Sequence, residues 1–159
     1  MNNDIRKLID DNWEDIKELI VQKAEAEQKP KTIWDLKKED GEDYYRLYGC
    51  GNIDKVVFYT DYDEQARDIG NAFLTREEAE FEFERRKVEA IMKKYSRPFK
   101  SGEFNCMVKY DTDNNMVSTS VARFHNLGVP VFESNEVAAK AIDEIGEDRL
   151  VKYWFGVAK

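Results

Sequence analysis

Residues 71–95 read NAFLTREEAEFEFERRKVEAIMKKY and contain a complete transition from strand to helix. The first four residues form a short apolar segment. Thr75 follows, and Glu78 stands three positions later, which is the spacing of a capping box. In that motif, each residue's side chain accepts a hydrogen bond from the backbone N–H of the other. The stretch therefore predicts a helix over residues 76–95 with a sharply defined start.

Two segments rich in aromatic and β-branched residues precede this helix. They lie at residues 44–48 and 55–60, on either side of Gly49-Cys50-Gly51-Asn52. Such residues favour strands and the intervening ones favour a turn, so the segments predict a hairpin. An acidic loop at residues 61–64 is expected to lead from the hairpin to the short apolar segment. Together these elements form a β-β-β-α unit.

The second half of the chain repeats this order. Its predicted elements are strands at 104–110 and 116–125 around a turn at 111–115, a third strand at 129–132 with an edge-favouring proline, and a helix after the N-cap Ser134 to about Ile145. A shift of 59 residues aligns Phe73 with Phe132 and Thr75 with Ser134. We interpret the chain as two copies of the unit.

Apolar residues recur at intervals of three and four over residues 4–27, which predicts a long amphipathic helix. A final amphipathic segment at 147–155 ends before Gly156, a typical residue after a helix C-terminus. The expected fold is α+β, in one compact domain of two repeated antiparallel β-β-β-α units. Its segments are an N-terminal helix (1–29), a connector (30–43), a first unit (44–100) and a second unit with a C-terminal helix (101–159).

The composition excludes several classes of protein. A chain of 159 residues corresponds to about one domain. It has no apolar run long enough for a membrane span and no signal-peptide pattern, so we expect a cytoplasmic protein. Two cysteines and one histidine leave no Cys/His zinc site. We expect no cofactor.

Candidate catalytic and ligand motifs are incomplete. Residues 111–115 and 61–65 resemble the start of an EF-hand loop, but both candidates lack the glycine at position six and the carboxylate at position twelve. Gly49 and Gly51 lack the third glycine of a dinucleotide fingerprint. His125, at a predicted strand end, has no nucleophile motif beside it. We therefore expect no enzyme, with a hydrolase built from carboxylates and His125 as a minor alternative.

The net charge of -8 argues against non-specific binding to nucleic acid and favours a basic partner. The predicted partner-binding residues are the acidic segments and two adjoining tyrosines: Glu39, Asp40, Glu42, Asp43, Tyr44, Asp61, Tyr62, Asp63 and Glu64. One basic concentration supports an alternative nucleic-acid site: Arg85, Arg86, Lys93, Lys94, Arg97 and Lys100. A solvated surface without a partner also explains the acidic runs, and cations are in any case favoured near a helix C-terminus.

Three blocks carry a resemblance. They are Trp34 with Glu42-Asp43-Tyr44-Tyr45, then residues 70–80 (GNAFLTREEAE), then residues 145–157 (IGEDRLVKYWFGV). Across residues 32–157 the chain resembles small proteins carried by bacteriophages and mobile elements of Gram-positive bacteria. It is similar in character to anti-CRISPR proteins, which block a host nuclease by direct contact.

The resemblance implies an anti-defence protein that inhibits a host CRISPR nuclease of the Cas9 type by stoichiometric binding. It would either clamp one nuclease domain or cover the basic surface that contacts nucleic acid. The alternative is a phage accessory protein that binds nucleic acid through the basic helix end. An open sheet edge also leaves a homodimer as an option.

Overall fold

The computed structural model describes residues 12–28, 31–124, 126 and 128–157. The chain is a mixed α+β protein. Its helices are α1 (Trp13–Gln28), α2 (Asp61–Asp68), α3 (Arg76–Tyr95), α4 (Asn135–Ile145) and the single turn α5 (Glu147–Arg149). Its strands are β1 (Asp43–Leu47), β2 (Ile53–Val57), β3 (Ala72–Phe73), β4 (Cys106–Asp111) and β5 (Met116–Val121). A 3-10 turn at Ile33–Asp35 and a π-helical turn at Leu150–Trp154 complete the described elements.

The first sheet has three antiparallel strands in the order β2-β1-β3. Tyr45 in the central strand lies opposite Lys55 on one side and Phe73 on the other. The β1–β2 turn contains Gly51, whose φ of +93° is a conformation that L side chains rarely adopt. A Cβ on Gly51 would also lie 2.4 Å from the Cζ of Phe83, so the α3 ring fixes glycine at this position.

The second sheet pairs β4 with β5, as the second hairpin predicts. Asp111 Oδ1 accepts hydrogen bonds from the backbone N–H groups of Asp113 and Asn114, which closes the turn. Phe132 pairs with Cys106 on the other side of β4, through backbone hydrogen bonds of 2.8 and 2.9 Å. The predicted third strand is thus reduced to isolated bridges at Val131 and Phe132, because Pro130 has no N–H to extend the ladder.

Helix α3 begins at the predicted capping box and ends at Tyr95, as predicted. Thr75 Oγ1 accepts from the Glu78 N–H, and Glu78 Oε2 accepts from the Thr75 N–H, both at 3.2 Å. The predicted N-cap of α4 is also confirmed, since Ser134 Oγ accepts from the Val137 N–H. Helix α3 packs against both β1 and α4.

Two apolar clusters form the core. The first contains Leu36, Tyr44, Phe58 and Ala72, around the three-stranded sheet. The second contains Val88, Met92, Cys106, Val108, Phe132, Ala138, Ala141, Ile145 and Leu150. Because α3 supplies Val88 and Met92, this helix joins the second hairpin to α4 and the C-terminal turn.

Three expectations need correction or restriction. Residues 61–64, expected as a loop, form the first turn of α2, because Thr60 and Asp63 make a capping box of their own. The segment 147–155 is a short α-helical turn followed by a π-helical turn instead of one helix. Helix α1 spans Trp13–Gln28, and residues 4–11 of the predicted N-terminal helix lie outside the described residues, as does His125.

None of the helices in the described ranges is both long and apolar enough to cross a membrane.

Candidate protein-binding surface

Tyr44 and Asp63, both expected at a partner-binding surface, are buried. Tyr44 is 0% and Asp63 4% exposed. The Tyr44 hydroxyl donates to Asp63 Oδ1 at 2.6 Å, while Asp63 Oδ2 accepts from the Thr60 N–H and hydroxyl at 2.8 and 2.6 Å. This network caps α2 and joins it to β1. The expectation that these two residues face solvent is therefore wrong, because the carboxylate serves as the N3 residue of a capping box.

The hydrogen bonds to Asp63 also determine its ionisation. Burial by itself raises the pKa of a carboxyl group, but the donors from Thr60, Tyr44 and Tyr59 outweigh burial and lower the pKa of Asp63 to about 2. Burial and then the hydrogen bond to Asp63 raise the pKa of Tyr44. The pair is thus a carboxylate with a protonated phenol throughout the physiological range.

The structure brings the two predicted acidic segments together. Lys38 Nζ lies 2.8 Å from Asp61 Oδ1 and 2.9 Å from Glu64 Oε2, which ties the connector to the first turn of α2. The backbone C=O of Glu42 accepts from the Phe58 N–H, and this bond holds the connector beside β2. Residues 39–43 and 61–64, about twenty positions apart in sequence, therefore form one surface.

Most acidic side chains of this surface are paired with lysines. Glu42 pairs with Lys31, and Asp43 lies 2.8 Å from Lys55, in addition to the Lys38 bridge to Asp61 and Glu64. Within the described part of the chain, none of the ion pairs involves Glu39 or Asp40, and both are exposed. These two residues thus contribute the uncompensated negative charge.

A groove of about 530 Å³ lies next to the acidic segments. Three tyrosines line it: Tyr48, Tyr59 and Tyr62, of which Tyr59 is 65% and Tyr62 70% exposed. Val56 and Val57 form its apolar wall, and a Cβ on Gly41 would lie 4.0 Å from Val57. The groove therefore adjoins the acidic connector as well as α2.

Arg46 positions the tyrosines of the groove. Its Nη2 donates to the backbone C=O of Tyr62 at 2.8 Å, and its guanidinium lies 5.5 Å from the centre of the Tyr48 ring. Its Nη1 is also 3.5 Å from Asp63 Oδ1. One largely covered cation thus connects the buried carboxylate to the exposed rings.

We define the acidic–tyrosine surface as Glu39, Asp40, Glu42, Asp43, Asp61, Glu64, Tyr48, Tyr59 and Tyr62. The sequence predicts the acidic members and Tyr62 at a partner-binding surface. It places Tyr48 and Tyr59 in the two strand-forming segments, as sheet and core residues with an interface role left open. Successive side chains in an extended segment point to opposite faces. Because Phe58 is fully buried, its neighbour Tyr59 points outward, and this alternation is the sequence pattern that indicates its exposure.

The basic residues of the alternative site are paired internally. Arg85 and Arg86 both contact Glu82, Lys93 contacts Glu89, and Lys94 reaches Glu144 in α4. Two of these contacts, Glu82 with Arg86 and Glu89 with Lys93, are favourable i,i+4 pairs on the helix surface. Beyond the helix, Arg97 donates to the Phe104 C=O and the Asn105 side chain, and Lys100 lies 3.4 Å from Glu103. These contacts leave the cations partly neutralised by the chain's own carboxylates.

Metal and thiol chemistry have little support in the described residues. Within these ranges, no group of three or more His, Cys, Asp or Glu side chains could hold a metal ion. The carboxylate of Asp111, a residue of the EF-hand-like segment, accepts hydrogen bonds from the backbone N–H groups of its own turn. Cys106 is buried, and burial raises the pKa of its thiol.

Comparisons with protein-family models, with curated proteins and with solved structures find no match for the chain.

Proposed function

We propose that this chain is an anti-defence protein that binds a basic protein partner through its acidic–tyrosine surface. The resemblance to phage-borne proteins directs the proposal to a CRISPR nuclease of the Cas9 type, inhibited one-to-one in the cytoplasm of a bacterial host. The observation that carries the proposal is the groove with exposed Tyr59 and Tyr62 beside exposed Glu39 and Asp40, which make no ion pair among the described residues.

Exposed tyrosines are suited to protein recognition. A tyrosine side chain buries a large apolar ring at little entropic cost and still offers a hydroxyl, and tyrosine is enriched among the residues that dominate binding energy. The valines beside the rings add apolar area to the same groove. The acidic rim lies where it can orient an approaching basic surface.

Charge compensation favours a clamp over mimicry of DNA. A phosphate mimic needs dense uncompensated negative charge, whereas Lys31, Lys38 and Lys55 neutralise most acidic members of the surface. The combination of a few free carboxylates with exposed rings fits contact with one protein domain. In a nuclease that must move its catalytic domain into place before cleavage, such contact would block docking.

The test is inhibition of target cleavage by purified Cas9 from a Gram-positive host. The double variant Tyr59→Ala/Tyr62→Ala and the double variant Glu39→Lys/Asp40→Lys are compared with the original chain. Glu133→Lys/Asp143→Lys makes the same charge change at exposed positions of the second half and serves as the matched control. We expect the control to inhibit like the original chain and both surface variants to lose inhibition.

Two outcomes would count against the proposal. If the original chain neither binds the nuclease nor slows cleavage at equimolar concentration, the assignment to Cas9 is wrong. If the nuclease is inhibited equally by all variants while their folds are intact, the surface is wrong although the function stands. Light scattering of the mixture reports the stoichiometry and shows whether a homodimer or a monomer binds.

We also propose that the two halves are copies of one β-β-β-α unit. Both units place the first strand of the hairpin centrally, with β3 beside β1 and Phe132 beside β4. Both then begin a helix at a hydroxyl N-cap, Thr75 or Ser134. This internal repeat accounts for a fold with two small sheets and two apolar clusters.

A further inference from the structure

A second groove, of about 540 Å³, lies between α3 and the π-helical turn. Three glutamates of α3 line it: Glu77, Glu80 and Glu84. Their spacing of three, four and seven positions places them on one face of the helix. None of the residues that line this groove belongs to the acidic–tyrosine surface.

Aromatic rings form the remainder of the groove. Phe81 and Tyr153 pack against each other with ring centres 5.1 Å apart, and Phe81 is 38% exposed. Arg149 Nη2 lies 3.0 Å from Glu84 Oε2 and fixes the C-terminal turn to α3. The groove is therefore built by two elements that are held together.

The rings of this region already attract cations of the chain. Lys87 Nζ lies 4.1 Å from the centre of the Phe83 ring, and Lys152 Nζ lies 5.0 Å from that of Tyr153. Within the described ranges, no lysine or arginine is found over the ring of Phe81, and Glu77 makes no ion pair. Glu77 and Phe81 are one helical turn apart, so a carboxylate without an ion pair among the described residues stands beside a partly exposed ring.

We propose that this groove binds an arginine side chain in an exposed segment of a partner protein. The guanidinium stacks on Phe81, and its N–H groups donate to Glu77. Arginine fits better than lysine because its planar group stacks and donates at the same time. The chain places a guanidinium beside aromatic rings elsewhere, since that of Arg67 lies 5.3 Å from both the Trp34 and the Phe58 ring centres.

The proposal is tested by NMR titration of the full chain, labelled with ¹⁵N, without any nuclease present. The probe is a hexapeptide of alternating arginine and glycine, and the comparison peptides carry citrulline or lysine instead of arginine. Citrulline keeps the shape of arginine and removes its charge. We expect arginine-dependent shifts at residues 76–84 and 150–155, no saturable shift with citrulline, and binding of the lysine peptide that is weaker by about threefold or more.

Two variants with matched controls locate the site. Phe81→Ala and Glu77→Gln should each weaken binding of the arginine peptide by about three- to fivefold. Phe124→Ala and Asp143→Asn remove an exposed ring and an exposed carboxylate elsewhere and should leave it unchanged. Because Glu77 is exposed, the Glu77→Gln variant keeps the test valid even if loss of Phe81 disturbs packing.

Equal binding of the citrulline peptide, the absence of shifts at millimolar arginine peptide, or shifts confined to residues 39–64 would each overturn the proposal. Equal binding of the lysine peptide would show attraction between charges only and would also overturn it. None of these results bears on inhibition of Cas9, which depends on different residues.

Discussion

Tyr44 in β1 and Asp63 in α2 are joined by a 2.6 Å hydrogen bond in the protein interior, with the phenol as donor and the carboxylate as acceptor. The bond connects the central strand of the first sheet to the helix that carries Tyr62. The exposed face of the acidic–tyrosine surface thus depends on a buried polar contact beneath it.

Tyr44→Phe should lower the free energy of unfolding by roughly 1.5–3 kcal/mol, because it removes a hydrogen bond to a buried charged group. The ring remains, so its edge-to-face packing on Phe58, with centres 5.5 Å apart, is kept. Urea unfolding followed by circular dichroism measures the change. Tyr62→Phe removes an exposed hydroxyl and should have almost no effect; equal losses for the two variants would contradict the assignment.

Acid should remove the stabilisation that Asp63 provides. Its pKa is lowered from the ordinary value of 3.8 to about 2 in the folded chain, so the contribution is complete above pH 4 and is lost as the pH falls towards 2. The loss amounts to roughly 2 kcal/mol. Unfolding is measured from pH 2 to 6 for the original chain and for Asp63→Asn. The stability difference between them should shrink at the acid end, and a constant difference would rule out the lowered pKa.

The contrast between α2 and α3 shows what the sequence could predict. The spacing of Thr75 and Glu78 predicts a capping box and the helix after it, and both are confirmed in α3. Thr60 and Asp63 have the same spacing, and Asp63 Oδ2 accepts from the Thr60 N–H, but the acidic composition of residues 61–64 favours a loop. The capping-box spacing that marks the start of α2 is therefore visible in the sequence. The burial of Asp63 was not predictable, because it depends on Tyr44, a residue nineteen positions away.

Long-range contacts account for the remaining differences. Composition is enough to identify the acidic segments, whereas their juxtaposition depends on Lys38, which bridges the connector and α2. The approach of Phe83 to Gly51 likewise joins α3 to a hairpin turn that has no sequence relation to it. Periodicity and turn chemistry describe neighbours along the chain, so they predict elements better than the surfaces that those elements form.

Gly51→Ala should destabilise the fold by about 1–3 kcal/mol, through backbone strain and contact with Phe83. The positive φ and the approach of 2.4 Å contribute separately. Adding Phe83→Leu to the Gly51→Ala variant should recover the stability that is lost through contact with the ring. It should not recover the stability that is lost through backbone strain. Gly49→Ala is the matched control, since nothing lies within 4 Å of a Cβ at that position. Thermal unfolding that ranks the two single variants equally would contradict this account.

Asn105→Ala should lower the free energy of unfolding by about 2 kcal/mol or more, because the buried side-chain amide forms hydrogen bonds with several partners. Its Oδ1 accepts from Arg97 Nη1 and the Lys100 N–H, and its Nδ2 donates to the C=O groups of Lys100 and Glu103. Hydrogen exchange should show faster exchange over residues 97–105 in the variant. Asn126→Ala, at an exposed position, is the control. Unchanged exchange in the Asn105 variant would show that the segment is held by other contacts.

The carboxylates and the tyrosine rings of the acidic–tyrosine surface should affect different rate constants of nuclease binding. Exposed charges at a rim act mainly on association, so Glu39→Lys/Asp40→Lys should slow association and weaken its dependence on salt. Tyr59→Ala should instead speed dissociation, because a ring buried in the complex holds it together. Interferometry with immobilised Cas9 at several salt concentrations separates the two effects. Loss of association rate in Tyr59→Ala, with dissociation unchanged, would show that the ring acts in the encounter and not in the bound state.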